Sequence, residues 1–337
     1  MKVLFIGGTG IISTAVSALA ARKGFDLYLL NRGKRSEFAP PGVKFITCDV
    51  NDADAAAKTL QDCRFDVVVN WIAFTPGQIE RDIRLFSGKT GQYIFISSAS
   101  AYQKPLGYYK ITESTPLENP YWEYSRNKIA CEERLMAERR KNGFPFTIVR
   151  PSLTYGVTLI PAAFMSWNKP WTLVDRMRRG GRIVVHGDGS ALWTMTHNSD
   201  FAKGFVGLIG NTQALGEAFH ITSDEVLSWD QIYRTIGQAA GVEANIVHIP
   251  SDFIAAFSPG EVGNLLGDKA ASAVFDNSKI KRVSPEFVAT TTFAQGVRMS
   301  MDWFEADPKR QQIDDDFNKL SDRIIQSLEK GLADAKA

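Results

Sequence analysis

The chain has 337 residues, 44% of them hydrophobic and 23% charged, with a formal net charge of +2. That length accommodates one large α/β domain or two smaller ones, and the composition is that of an ordinary soluble protein. Acids and bases are mixed and form no basic stripe, which argues against a nucleic-acid partner. Cys48, Cys63 and Cys131 are scattered without metal-like spacing, as expected of reduced thiols in a cytoplasmic protein.

The apolar run Lys2–Ile6 is too short for a signal peptide or a membrane span and reads as a buried strand. A helix is expected over Ile11–Lys23, closed by Gly24, and a second strand over Leu27–Leu30. The pattern then predicts a strand at Val43–Thr47, a helix at Ala53–Leu60 and a strand at Phe65–Asn70. A helix at Ile79–Phe86 and a strand at Tyr93–Ser97 follow. A long helix over Trp122–Arg140 and a strand at Phe146–Val149 complete the series. Strands alternating with helices predict a Rossmann-type, doubly wound parallel sheet, with residues 1–156 as its dinucleotide-binding domain. Residues 157–182, rich in Trp, Pro and Arg, show no clear periodicity and are expected to form a lid segment. Residues 183–221, with a helix at Ser199–Ile209 and a strand at Glu217–Ile221, are expected to return to the first domain. Residues 222–337 complete a smaller, mixed α/β substrate lid, with a C-terminal helix from Asp314 to Leu328.

The run Gly7-Gly8-Thr9-Gly10-Ile11-Ile12-Ser13 lies between the first strand and the first helix. Glycines there permit a tight turn and let backbone N–H groups approach a pyrophosphate at a helix N-terminus. Ser13 stands where the fingerprint usually has a third glycine. An acid about twenty residues on would hold the ribose 2′-OH of NAD; this chain has Asn31-Arg32-Gly33-Lys34-Arg35. Nothing there repels a 2′-phosphate and Arg32 can pair with one, so NADP(H) is favoured over NAD(H). Asp49 and Val50 either flank the adenine or, for Asp49, cap the next helix. Asn70, Ile72, Tyr124, Lys128 and Pro151 complete the expected cofactor set.

Tyr124 and Lys128 are one helical turn apart and share a face. An ammonium beside a phenol favours phenolate, so such a tyrosine can exchange a proton with a carbinol oxygen. Ser98 ends its strand on the edge where open α/β sheets bind ligands. Phe74, Ser98, Ser100, Tyr155 and Trp193 are the expected substrate contacts.

With these motifs the sequence resembles the short-chain dehydrogenase/reductase superfamily, in its extended branch of NAD(P)-dependent sugar epimerases and dehydratases. Supporting runs are Ser97-Ser98-Ala99-Ser100-Ala101-Tyr102, Glu113-Ser114-Thr115-Pro116-Leu117, Arg150-Pro151 to Tyr155-Gly156, and Gly187-Asp188-Gly189 through Asp200. Asn31-Arg32-Gly33 and Phe275-Asp276-Asn277-Ser278-Lys279 are similar to an atypical subgroup that includes chloroplast stem-loop binding proteins. The resemblance implies a Ser98–Tyr124–Lys128 catalytic triad, with Lys128 also on the nicotinamide ribose, and hydride transfer at a carbinol or keto carbon of a sugar-like small molecule. It also implies a homodimer through the Tyr124 helix, for which Ile129, Leu135 and Met136 are candidates, or else core residues. An RNA-binding or regulatory protein on the same fold is the alternative.

Three departures from the family narrow the reading. Ala99 and Ser100 replace the acids that follow the catalytic hydroxyl residue in family dehydratases, which argues against a 4,6-dehydratase. Leu153 and Trp193 replace the Asn and Arg that contact a substrate diphosphate, which argues against a nucleotide sugar. Trp193 is then expected to stack on a flat, partly apolar ligand. His186 and His197 fit no zinc spacing, so no metal is expected. Arg176, Arg178, Arg179 and Arg182 are either a solvated face or a site for an anionic substrate group. Asp200 caps or buttresses the helix that follows it.

Overall fold

A computed structural model describes residues 1–335. The first half alternates β1 (Lys2–Ile6), α1 (Ser13–Arg22), β2 (Asp26–Asn31), β3 (Lys44–Thr47), α2 (Ala53–Thr59), β4 (Phe65–Asn70), α3 (Pro76–Phe86), β5 (Thr90–Ile96) and α4 (Glu123–Asn142). With the strands Phe146–Pro151 and Ala218–Ile221 these form one seven-stranded parallel sheet. From one edge the order is Ala218–Ile221, Phe146–Pro151, β5, β4, β1, β2, β3.

Successive strand side chains point to opposite faces, so a strand covered on both sides is apolar throughout. In β1, Val3 and Phe5 pack with Val16 and Ala20 of α1 and with Phe201 and Phe205. Leu4 and Ile6 pack on the other face with Ile79 and Ile83 of α3 and with Cys131 and Leu135 of α4. Burying each Val, Leu, Ile or Phe side chain among these contributes about 1.5–3 kcal/mol, which is what fixes the strand register. The edge strand β3 is mostly exposed, and its Lys44 pairs with Asp26 at 2.7 Å, a charge that discourages pairing with another sheet.

Helix α3 starts three residues before its expected start at Ile79. Pro76 occupies its first turn, and the Gln78 Oε1 atom accepts from the Thr75 amide at 3.1 Å, closing a capping box. Residues 157–182 are well packed rather than irregular: Trp171–Arg178 is α5, and Trp171, Val174 and Met177 recur at helical spacing on its buried side. The strand Ile183–His186, expected to return to the first layer, pairs with Ile246–Ile249 and buries Ile183, Val184 and Val185 in the lid core. The chain rejoins the sheet with α6 (Asn198–Val206) and the strand Ala218–Ile221. The lid is completed by α7 (Trp229–Ala240), α8 (Ser251–Phe257), a π-helical stretch Val262–Lys269, α10 (Phe293–Glu305) and α11 (Asp315–Asp334), whereas α9 (Ser278–Val283), expected in the lid, packs on the sheet and buries Ile280 with Phe219 and Ile221. Residues 336 and 337, the end of the expected lid range, lie outside the described residues.

The arginine cluster clamps the lid together. Arg176 pairs with Asp322 and Arg182 with Glu329, both on α11, while Arg178 pairs with Glu305 on α10. Arg179 pairs with Asp175 one turn earlier in α5 at 2.5 Å, so all four charges are matched by acids and an anion-binding role for the cluster is set aside. Leu135 is fully buried against the sheet and is a core residue, while Met136 is partly buried against the same cluster. Among the described residues no helix is long and apolar enough to cross a membrane.

Candidate active site

The C-terminal ends of β1, β2 and β4 open onto a cleft of about 750 Å³. Gly7, Gly8, Thr9, Gly10, Ile11 and Ile12 form one wall, Asn31, Arg32, Asp49 and Val50 a second, and Ile72 and Phe74 a third. Gly7 and Gly8 have φ of +97° and +98°, a region that L side chains rarely adopt. A Cβ on Gly8 would also lie 2.8 Å from Leu29 Cδ2. Ser13, in the third glycine's place, is buried, and its Oγ accepts from the Gly10 amide at 2.8 Å. The hydroxyl thereby closes the turn that a glycine would otherwise leave to the backbone.

At the end of β2 the Asn31 Oδ1 atom accepts from the Gly33 amide at 2.8 Å, while its buried Nδ2 has no partner among the described residues. Arg32 reaches Asp49 at only 3.8 Å with both side chains substantially exposed, and Lys34 and Arg35 line the same end of the cleft. A positive-φ glycine turn, an unpaired donor and three cations fit a dinucleotide.

Four expected cofactor residues lie outside the cleft wall: Asn70, Pro151, and Tyr124 and Lys128 of α4. Asn70 is buried, bonded to Asp82, and its Oδ1 accepts from the Ile72 amide at 2.8 Å; it shapes the turn after β4. Pro151 is buried at the end of its strand, alongside Ile221.

Ser98 and α4 meet beyond the third wall. The Ser98 Oγ accepts from the Ser100 amide at 3.2 Å and shares a hydrogen bond with the Ser100 hydroxyl at 2.8 Å. Ser125, next to Tyr124, donates to that same hydroxyl at 2.7 Å. Ser100 is therefore a buried link between Ser98 and α4, not the expected substrate contact. Asn119 donates to the Ser100 carbonyl at 2.8 Å and accepts from the amides of Tyr121 and Trp122 at 3.1 Å each, which fixes where α4 begins. Lys128 is 2% exposed and donates to the carbonyls of Ala73 and Ile96 at 2.7 Å each. Its Nζ lies 4.5 Å from the Phe74 ring centroid and 5.6 Å from that of Tyr124.

The protonation balance differs from the sequence expectation. Burial pushes the Lys128 ammonium down to about 7 and raises the Tyr124 phenol. Ser98 draws the phenol down, and the negative charge of Asp268 pushes it up. In this state desolvation of both groups outweighs the pairing of ammonium with phenolate.

Phe74 is 44% exposed and faces the cleft as expected. Tyr155 and Trp193 do not. Tyr155 is 0% exposed, edge-on to His197 and Phe293, and Trp193 is 2% exposed, 5.4 Å from Trp229. Both are core residues of the lid because two-residue strands carry them inward, Thr154–Tyr155 against Thr196–His197 and Leu192–Trp193 against Leu227–Ser228. From the lid segment, the aromatic side chain that lines the cleft is Trp167, 47% exposed, together with Leu159. It lies in the stretch without periodicity, which carried no signal for it. His197 caps α6, its Nδ1 hydrogen-bonded to the Ser199 hydroxyl at 2.7 Å. Asp200 accepts from the amides of Thr290 and Thr291 at 3.1 and 2.7 Å and so buttresses α6 against that loop.

A glycine turn at the first strand of a doubly wound sheet, with Ser, Tyr and Lys gathered at the same edge, defines a Rossmann-type dinucleotide fold. The chain belongs to the NAD dependent epimerase/dehydratase family, whose family model matches residues 3–87 and 83–222. It is similar to 2'-dehydrokanamycin reductase of Streptomyces kanamyceticus, 23% identical over 288 residues that span 85% of this chain and 80% of that protein. It is also similar to chloroplast stem-loop binding protein of 41 kDa b from Arabidopsis thaliana, 26% identical over 75% of this chain and 67% of that protein. The structure of epimerase Mth375 from Methanothermobacter thermautotrophicus superposes with a TM-score of 0.74 at 16% identity, covering 91% of this chain and 93% of that one. UDP-glucuronic acid 4-epimerase from Bacillus cereus, solved with NAD, gives 0.71 at 19% identity, covering 90% and 97%.

Proposed function

We propose that this protein is an NADP(H)-dependent reductase or epimerase acting at a keto or carbinol carbon of an unphosphorylated sugar or polyol. The observation that carries the reading is the convergence of Ser98, Tyr124 and Lys128 beside a cleft built on Gly7, Gly8 and Gly10. Gly7 to Ile12 would hold the pyrophosphate, and Asn31 and Arg32 the adenosine ribose with its 2′-phosphate. The chemistry such a cofactor supplies is donation or acceptance of a hydride at carbon.

The chain's own groups handle the oxygen. Ser98, oriented through Ser100 and Ser125, hydrogen-bonds the substrate oxygen. Tyr124 exchanges a proton with that oxygen at its Oη. Burial keeps the phenol protonated at neutral pH, so it rests as an acid ready to donate, which supports the reductive direction. The similarity to 2'-dehydrokanamycin reductase supports the same direction.

Ala99 and Ser100 leave no acid beside Ser98 to eliminate water, which supports a reaction other than 4,6-dehydration. The cations of the cleft, Arg32, Lys34 and Arg35, lie together after β2, while the side reached by Phe74, Leu159 and Trp167 is aromatic and apolar. That lining suits a sugar face rather than a diphosphate. Replacing Tyr124 with Phe tests the reading: turnover of a panel of keto sugars with NADPH falls at least 100-fold while NADPH affinity stays within twofold of wild type. Retained turnover overturns the assignment.

A further inference from the structure

The glycine turn receives one contact from the second half of the chain that none of the motifs required. Asn198, the first residue of α6, donates from Nδ2 to the Ile11 carbonyl at 2.7 Å, across 187 positions of sequence. Ile11 lies in the glycine turn, directly after Gly10. A trans peptide unit is planar, with its C=O and N–H pointing in opposite directions. A bond that holds the Ile11 carbonyl towards Asn198 therefore turns the Ile12 amide, the other half of that unit, away from α6. Both residues line the cleft.

A second feature of the structure serves the same contact. Gly156 lies beneath the Asn198 amide, and a Cβ there would overlap Nδ2. Gly156 is not among the glycines with positive φ, so its backbone would accept alanine. What glycine provides at this position is room for the Asn198 side chain.

We propose that Asn198 is a positioning residue for the glycine turn, fixing the Ile11–Ile12 peptide so that its amide is presented to the cofactor pyrophosphate, with Gly156 keeping the space it needs. The proposal rests on the reading of that turn as a dinucleotide site. Asn198 touches neither substrate nor cofactor in this role; it acts through the Ile11 carbonyl. The contact also makes cofactor affinity depend on the return of the chain from the lid, because α6 follows directly from the Thr196–His197 strand.

The test is a double-mutant cycle on the full chain, read as NADPH affinity by nicotinamide fluorescence, with urea midpoints measured alongside. Asn198→Ala weakens NADPH binding roughly 3- to 10-fold, the range of one neutral hydrogen bond. Gly156→Ala, which pushes the amide off Ile11, weakens it by a similar factor. The double variant binds no worse than either single one, because the second change has nothing left to displace. Asn198→Asp keeps the size but sets a carboxylate against a carbonyl and near the diphosphate, and binds more weakly than Asn198→Ala. A purely structural role would lower the urea midpoints and leave affinity unmoved. Wild-type affinity in Asn198→Ala, or losses in the two single variants that multiply in the double, overturns the proposal. Wild-type protein that binds neither NADPH nor NADH overturns the reading of the turn itself, and the proposal with it.

Discussion

Replacing Lys128 with Met should stabilise the fold at neutral pH while removing activity. The lysine is 2% exposed, and burial holds it at about 7 against an ordinary value of 10.5. Between those two pH values the unfolded chain binds a proton here that the folded protein does not, at about 1.4 kcal/mol per pH unit. At pH 7 the penalty on folding is therefore ~5 kcal/mol. It disappears as the pH rises towards 10.5, where the amine is neutral in both states. Methionine fills nearly the same volume but leaves the Ala73 and Ile96 carbonyls without their donor, at about 1 kcal/mol each. The net gain at pH 7 is ~3 kcal/mol, and at pH 10 the wild-type protein becomes the more stable of the two. Urea unfolding of both proteins at pH 7 and pH 10 reads this directly. A Met variant less stable than wild type at pH 7, or a difference that does not change between the two pH values, would refute the reasoning.

Other expectations follow from the same geometry. Arg32→Ser should weaken NADPH binding about 10-fold and leave NADH within twofold, because only the 2′-phosphate loses a partner; isothermal titration with both cofactors decides it. Trp193→Phe should leave NADPH affinity and keto-sugar turnover within twofold while lowering stability by about 1–2 kcal/mol, since the ring packs on Trp229 in the lid core. A selective loss of substrate affinity would restore Trp193 to the site. In the oxidative direction Tyr124 must give up its proton first, and its phenol is held above 10. Oxidation of a polyol should therefore keep rising from pH 7 to pH 10 while reduction stays flat; an oxidation rate that levels off near pH 7 would contradict the raised phenol.

Much of this was legible in the sequence because local patterns and fold agree in the first half. Apolar runs at strand length, helices with a polar face and Gly7, Gly8 and Gly10 at one junction leave few topologies open. The helix carrying Tyr124 and Lys128 needs only its own period to place them together. What escaped was set by contacts distant in sequence. Trp193 matched a family position, but whether its ring points at the cleft or into the lid depends on pairing with Leu227–Ser228, which no local pattern announces. Tyr155 turned inward for a similar reason, paired through its strand with Thr196–His197. The arginine cluster looked free because its acids, Asp322 and Glu329, come more than 140 positions later. Asp268, whose charge acts on Tyr124, and Asn198, which reaches Ile11, had no motif of their own. The capping boxes at Thr75–Gln78, Ser228–Gln231 and Thr292–Gln295 were local signals of helix starts that the reading by periodicity passed over.

The central claim is hydride transfer to a keto carbon with Tyr124 supplying the proton. The most direct measurement is mass spectrometry of products formed from a keto-sugar panel with NADPH carrying deuterium at both C4 positions. Wild-type protein should place one deuterium on the carbinol carbon of a reduced product, and Tyr124→Phe should form that product at least 100-fold more slowly. Unlabelled product from wild type, or labelled product from the Phe variant at a comparable rate, would contradict the claim.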